Sequence, residues 1–310
     1  MDTYDVVGFG IATIDHFGVV DSFPLEDSKQ QFREYTMQGG GTVATPLVAC
    51  SRLGLKTAYL GRLGHDSMSD AIAAEFEHEG VETRHIIDDE LYTPPVAMIL
   101  VNPQKHTRTI AWYRKPYPPI EPEQIDLDVV EASRVLYLDA HEGPAARRAA
   151  KRAKETGRLV VVDADNDTDD IRLVLPYADV IIGSERFARQ FAGDIGSERA
   201  AALLYERFGG ICGITAGSHG SYLVTDEGAF HQPAFPVDVV DTTGAGDVYH
   251  GAFVVGLLEG WPIRDTATFA SAVAAMKCRK LGGRSGIPTR NEAFRFLRER
   301  NVPGPWSSLQ

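Results

Sequence analysis

Short apolar runs without polar alternation punctuate most of the chain: VVGFG (6–10), TAYLG (57–61), RVLYLD (134–139), RLVVVD (158–163), DVIIG (179–183) and GICGIT (210–215). A strand that is apolar at every position must be covered on both faces. Amphipathic segments at 43–53, 67–79, 145–156 and 197–207 lie between these runs, and helical patterns at 244–259, 265–280 and 290–299 follow them. Buried strands separated by helices predict an α/β fold whose central sheet is mostly parallel and flanked by helices. Two stretches, 14–37 and 81–114, instead alternate apolar with polar residues, as in VETRHIID and HTRTIAWYR. Alternation means one covered face, so they predict a small antiparallel sheet projecting from the main one as a β lid. A Pro-rich loop at 115–126 leads back to the core, and no internal repeat interrupts a single domain spanning 1–310. Ligands of such sheets bind at the carboxyl ends of the strands.

Composition narrows the partners. At 310 residues, with 44% hydrophobic and 24% charged positions, the chain reads as soluble and globular. A net charge of −12 opposes a nucleic-acid partner, which selects a basic face. Cys50, Cys212 and Cys278 form no CxxC pair, which argues against a disulfide framework or a zinc ribbon and fits a reducing compartment. The opening MDTYDVVGFG has no basic leader, and no run reaches the about 18 apolar residues of a membrane span. The expectation is a cytoplasmic protein with no membrane partner.

The chemistry concentrates in VVDTTGAGDVYHGAF at 239–253. Asp247 could simply cap a helix. Gly244, Ala245 and Gly246, however, leave backbone N–H groups bare at the positive end of that helix, where an anion is stabilised. A carboxylate there would repel a resting anion and is useful as a base beside developing negative charge. The combination suits phosphoryl transfer to a hydroxyl. Two further Gly-rich turns admit the same double reading. QGGGTVAT (38–45) runs into a helix, and TAGSHG (215–220) lies between two strands; either is a turn or a close approach to a phosphate-bearing ligand. Asp15 follows the first strand and is placed either to cap a turn or to bind sugar hydroxyls. GFGIAT (8–13) lacks the third glycine and the crossover helix of a dinucleotide fingerprint. His16, His65, His141, His219 and His250 show no metal-ligand spacing, and neither a Walker-type P-loop nor a GxSxG elbow is present.

Taken in order, GGGTVAT, TAGSHG and DTTGAGD resemble the ribokinase/PfkB family of carbohydrate kinases from the first strand to the last helix. The resemblance implies a ribokinase-like fold, ATP with Mg²⁺, and a homodimer formed through the lid. It implies Asp247 as general base and Gly244, Ala245 and Gly246 as the anion hole. Asp15, Gly40, Gly41, Thr42 and Thr45 would hold the sugar. Ser184, Thr215, Gly217, Ser218, Gly220, Thr243 and Cys278 would line the ATP site, and Asp241 with Thr243 would hold a monovalent cation such as K⁺. HQPAFPVDVVDTTGAGDVYHGA and MKCRKLGGRSGIP look most similar to 6-deoxy-6-sulfofructose kinases, while VVDSFPLEDSK resembles ketohexokinases. Three departures stand out: Thr42 and Thr45 where many members carry Asn, Ser184-Glu185-Arg186-Phe187 where many carry NxxE, and His141 where a sulfonate-binding Arg is expected.

Lys29, Trp112, Arg114 and His141 are the side chains on which the sugar would depend. Lys29 and the C-terminal runs point to an anionic or C6-modified ketose such as a sulfonated ketohexose, whose charged end at least one of Lys29, Arg114 and His141 would face across the cleft from Asp247. The alternatives are a neutral sugar, as for a fructokinase or ribokinase, and a non-catalytic sugar or nucleotide sensor on the same scaffold.

Overall fold

The computed structural model describes residues 4–307. Nine strands form the main sheet in the order Gly228–Gln232, Ser221–Thr225, Ile211–Thr215, Val180–Ser184, Leu159–Ala164, Ser133–Leu138, Tyr4–Phe9, Thr57–Leu60 and Val81–Glu82. All neighbours pair in parallel except the first two strands in this order, which join by antiparallel ladders. Two cores explain why these strands carry no polar alternation. Val161 packs with Tyr137 and Phe253 under the helices Ala44–Arg52, Ala245–Leu258 and Ile263–Lys277. Its neighbours Val160 and Val162 point the other way, against Ala149 of Gly143–Glu155 and Leu204 of Ser197–Phe208. Every position of such a strand loses water on folding, so each is apolar.

A second sheet of four strands has the order Glu34–Gly40, Thr13–Val19, Val96–Asn102, Thr107–Tyr113. Its outer pairings are antiparallel, while the central one is parallel. The chain visits the main sheet between residues 19 and 96, and such a crossover returns in the same direction rather than as a hairpin. The alternation at 81–88 belongs elsewhere. Val81–Glu82 ends a crossover that follows the helix Ser67–His78 and pairs with Thr57–Ala58, with Val81 2% exposed beside Phe76. Ile87–Asp88 pairs with Arg62–Leu63 in a separate two-stranded ladder. The small sheet therefore draws on 13–40 and 96–113.

The parallel strands aim their carboxyl ends at one edge. Gly10, Asp139, Asp163, Ser184 and Thr215 all lie at or just after strand ends there. The small sheet rises from the same edge, because Gly40 closes its second strand and only residues 41–43 separate it from the main-domain helix at 44–52. None of the described helices is long and apolar enough to cross a membrane.

Candidate active site

Asp247 lies in the first turn of Ala245–Leu258, whose cap, Gly244, has φ 73°. A side chain at Gly244 would be strained by that left-handed backbone and would meet Gly283 O at 3.0 Å. At Gly246 a Cβ would meet nothing within 4 Å, so the bare backbone here faces open space. One member of the expected donor set is already engaged: Ala245 N–H donates to Thr242 O at 3.2 Å. Gly246 and Asp247 keep N–H groups without an acceptor among the described residues, as the first turn of any helix requires.

The Asp247 carboxylate is half-buried and has no hydrogen-bond donor among the described residues. Loss of water pushes its pKa up to about 7, and the charges of Asp163, Asp165 and Asp15 push the same way. His250, one turn further along the helix, opposes this. Its Nδ1 lies 2.9 Å from Asp163 Oδ2, and Tyr137 O–H donates to the same oxygen at 3.2 Å. Burial alone would lower the His250 pKa, but Asp163 overcomes it and the net shift is upward. A buried Tyr–Asp–His cluster thus sits beneath the half-buried carboxylate, and Asp163 favours the protonated form of His250 within it.

Asp15, 9% exposed, accepts from Thr13 Oγ1 at 2.8 Å, and burial raises its pKa. Gly40 must be glycine beside it, since a Cβ would lie 2.1 Å from Asp15 Oδ2. Gly41, at φ 107°, turns the chain into the helix, and a Cβ there would lie 2.4 Å from Ile11 O. Thr42 donates its hydroxyl to Asp139 Oδ2 at 2.7 Å, and Asp139 also accepts from the N–H groups of Ile11 and His141. A cavity of about 140 Å³ opens here, lined by Thr42, Arg114, Asp139, His141, Asp163 and Asp165 among others. Thr45 is not part of it: only 1% exposed, its hydroxyl accepts from Arg284 Nε at 3.3 Å. Arg284, also 1% exposed, donates to Gly40 O at 2.9 Å and pairs with Glu75, so it holds the glycine turn from behind. Lys29 is likewise apart, exposed on the connection between the first two strands of the small sheet and absent from the cavity lining. Arg114 reaches the cavity while bound to Glu142 at 2.6 Å.

Of the expected nucleotide residues, Ser184, Thr215, Gly217, Ser218 and Gly220 lie at or just after neighbouring strand ends, while Thr243 and Cys278 belong to the loop before Ala245–Leu258 and the end of Ile263–Lys277. Ser184 and Thr215 pair across adjacent strands, and Ser184 Oγ caps the helix Glu185–Ala192 by accepting Phe187 N–H at 3.1 Å. Gly217 and Ser218 are exposed on the turn 217–219, and a Cβ on Gly217 would meet nothing within 4 Å. Gly220 packs against Gln232 O instead, a steric reason for glycine that involves no ligand. Cys278 is 7% exposed, burial raises its thiol pKa, and its carbonyl accepts Val240 and Asp241 N–H. Asp241 uses its carboxylate on Thr243 N–H, Thr243 O–H and Gly282 N–H, at 2.9, 2.7 and 2.9 Å. The carbonyls of Asp241 and Thr243 accept from the Lys277 ammonium, so a lysine stands where a monovalent cation was expected. Among the described residues no group of three or more His, Cys, Asp or Glu is arranged to hold a metal ion.

Asp139 and Asp163 were legible as acids closing an apolar strand in RVLYLD and RLVVVD, whereas Asp15, expected just after the first strand, lies inside the second, Thr13–Val19. Arg284 and Lys277 had no such signal, because their partners are backbone carbonyls distant in sequence.

The chain is 27% identical to 5-dehydro-2-deoxygluconokinase of Shouchella clausii, over 96% of this chain and 97% of that protein. It is 25% identical to mouse ketohexokinase, over 93% and 100%. The ribokinase structure from Thermotoga maritima superposes with a TM-score of 0.82 at 27% identity, covering 95% of this chain and 99% of that one. The profile of the pfkB family carbohydrate kinases matches residues 4–290, and with nearly the whole fold and its site inside that match, the chain belongs to this family of phosphotransferases with an alcohol acceptor.

Proposed function

We propose that this kinase moves the γ-phosphoryl group of ATP onto a sugar hydroxyl, with Asp247 accepting the hydroxyl proton. The observation that carries the reading is the Asp247 carboxylate itself, partly desolvated, free of hydrogen-bond donors and poised at about 7. A carboxylate near neutrality is matched to a base that must take and release a proton at physiological pH. Gly246 and Asp247 N–H groups, facing open space at the helix N-terminus, would stabilise the transferring phosphoryl. Magnesium enters with ATP as part of the substrate, its charge balanced by phosphates and by carboxylates of the type of Asp163 and Asp165. Gly217 and Ser218 would cover the nucleotide at the next strand end. Asp15, Thr42 and Asp139 would hold the hydroxyls of the sugar.

For the acceptor we favour a ketose or keto-sugar with an anionic end. Arg114 and His141 on the cavity wall support this, together with the gluconate named in the bacterial relative. A neutral ketohexose is the second reading, supported by the Glu142 carboxylate that already neutralises Arg114 and by the acids lining the same cavity. The test is sugar-dependent ADP release from Mg-ATP across a panel of neutral, phosphorylated, sulfonated and carboxylated ketoses. Turnover with at least one sugar is expected. Nucleotide binding without turnover on any sugar would replace the kinase reading with that of a sensor.

A further inference from the structure

Lys277 ends the helix Ile263–Lys277 and is 0% exposed. A lysine is rarely enclosed in this way unless its charge is matched by its surroundings. Its Nζ donates to Asp241 O at 3.0 Å and to Thr243 O. These two carbonyls belong to the strand of chain that enters Gly244 and the first turn carrying Asp247. To converge on one nitrogen they must both turn inward, and this fixes the backbone of the loop between them. The rest of the loop is tied as firmly. Asp241 binds Thr243 and Gly282 through its side chain, and the N–H groups of Val240 and Asp241 donate to Cys278 O. The C-terminal end of the lysine's own helix adds favourable negative potential. Burial lowers the Lys277 pKa from its ordinary value, with Asp241 acting against that shift.

Carbonyl oxygens converging on one point are also how proteins hold a bare monovalent cation. An ammonium group is close to K⁺ in size and equal to it in charge. With Nζ on both carbonyls, a potassium ion does not fit the same point, because two cations would then share one small, dry enclosure. We propose that Lys277 is a built-in substitute for a monovalent activating cation, holding the 241–243 carbonyls so that the Gly246 and Asp247 N–H groups face the transferring phosphoryl, and that turnover needs no K⁺. Lys277 is a positioning residue, since it acts through the loop and does not touch the substrate. The activity part rests on the kinase reading above; the thermal part does not.

The test compares K⁺ with tetramethylammonium at equal ionic strength. Wild-type turnover is expected to change by no more than about twofold, and its Tm by no more than the scatter of the measurement, because the enclosure is already filled. Lys277→Ala removes the ammonium and leaves room. It should lose about 10–10²-fold in kcat in tetramethylammonium, the scale of a sub-ångström error in catalytic geometry. K⁺ or ammonium should then raise both its Tm and its kcat, with the sugar KM little changed. Lys277→Met fills the space without charge and should show neither rescue. Wild-type protein stabilised or activated several-fold by K⁺ would overturn the proposal, and this arm stands even if the variants fail to fold. A folded Lys277→Ala that no cation restores would reduce Lys277 to packing. If no sugar is phosphorylated at all, the kinase reading fails, while the melting comparison still decides whether Lys277 does the work of a cation.

Discussion

At the scale of the residue, Asp247 carries the most specific expectations. Its folded pKa of about 7 lies above the carboxylate value of 3.8. As a base it must be ionised, so kcat/KM should rise with pH through about 7 and level off above. Asp247→Asn should lower kcat by about 10²–10⁴ while leaving nucleotide affinity nearly intact; a variant that keeps a tenth of wild-type kcat would defeat the assignment. Linkage gives the opposite sign for stability. Between pH 4 and 7 the folded state holds a proton that the unfolded chain has released, so the contribution of this group falls as pH rises through its folded pKa. Asp247→Asn should therefore raise Tm relative to wild type at pH 8 and make little difference at pH 4, measurable by calorimetry. The acceptor can be probed by the same charge logic. If its end is anionic, Arg114→Met should raise KM for that sugar by a factor reflecting roughly 1.5–3 kcal/mol and do little for fructose. Lys29→Met should matter less, because Lys29 stands outside the cavity. Equal KM changes for fructose and its anionic analogues would leave the neutral reading. Sequence was a good guide to the positions of Asp247, in the first turn of its helix, and of Gly40, against Asp15, and a poor one to that of Thr45. A hydroxyl one helical turn from the glycines looks available until Arg284, more than two hundred positions away, is seen to occupy it.

At the scale of the element, the helix Ala245–Leu258 shows how local sequence dictates a site. Gly244 takes a left-handed conformation so that the chain can enter the helix abruptly, and the small residues that follow leave its first turn uncovered. Gly244→Ala should cost about 1–2 kcal/mol from the backbone alone. The Gly283 carbonyl at 3.0 Å adds to that. The expected result is a drop in Tm of roughly 2–4 °C for each kcal/mol, together with a loss of kcat greater than the loss of nucleotide affinity. An unchanged Tm would show that the turn tolerates a side chain. The parallel strands were readable in the sequence because both their faces are buried, which leaves a run without alternation. The segment 81–88 was misread for the converse reason. VETRHIID combines a two-residue edge strand of the main sheet, Val81–Glu82, with Ile87–Asp88 of a separate ladder, and short edge segments with one covered side show the same alternation as a strand of the small sheet. Short helices such as Glu185–Ala192 escaped notice because two turns carry too few apolar positions to establish a period; Ser184, read as a ligand residue, is its cap.

At the scale of the whole molecule, the small sheet has two unlike faces. Phe17, Ile99 and Val101 are buried with Leu281 on one side. On the other, Met37, His16 and Met98 stand in one cross-strand row, Met37 and Met98 being 47% and 54% exposed, and Tyr35 follows at 58%. The outer strand Thr107–Tyr113 is exposed along its full length and leaves a bare edge. Apolar side chains beside an open edge are a hazard for a monomer and a natural seat for a second copy of the same sheet. We therefore expect a dimer by sedimentation at micromolar concentration, and Met98→Glu should convert it to monomer. The same strand also connects this face to the chemistry. Arg108 donates to Thr242 Oγ1 at 2.6 Å, on the loop that feeds the helix of Asp247, and Trp112 stands in the cross-strand row of Asp15 and Ala97 on the cleft side. Loss of the partner copy should thus loosen a strand that borders both the sugar and the phosphoryl loop. The Met98→Glu monomer should show a higher sugar KM, with nucleotide affinity changed less. A wild type that sediments as a strict monomer, or a monomeric variant with unaltered sugar KM, would confine the role of the small sheet to covering the cleft.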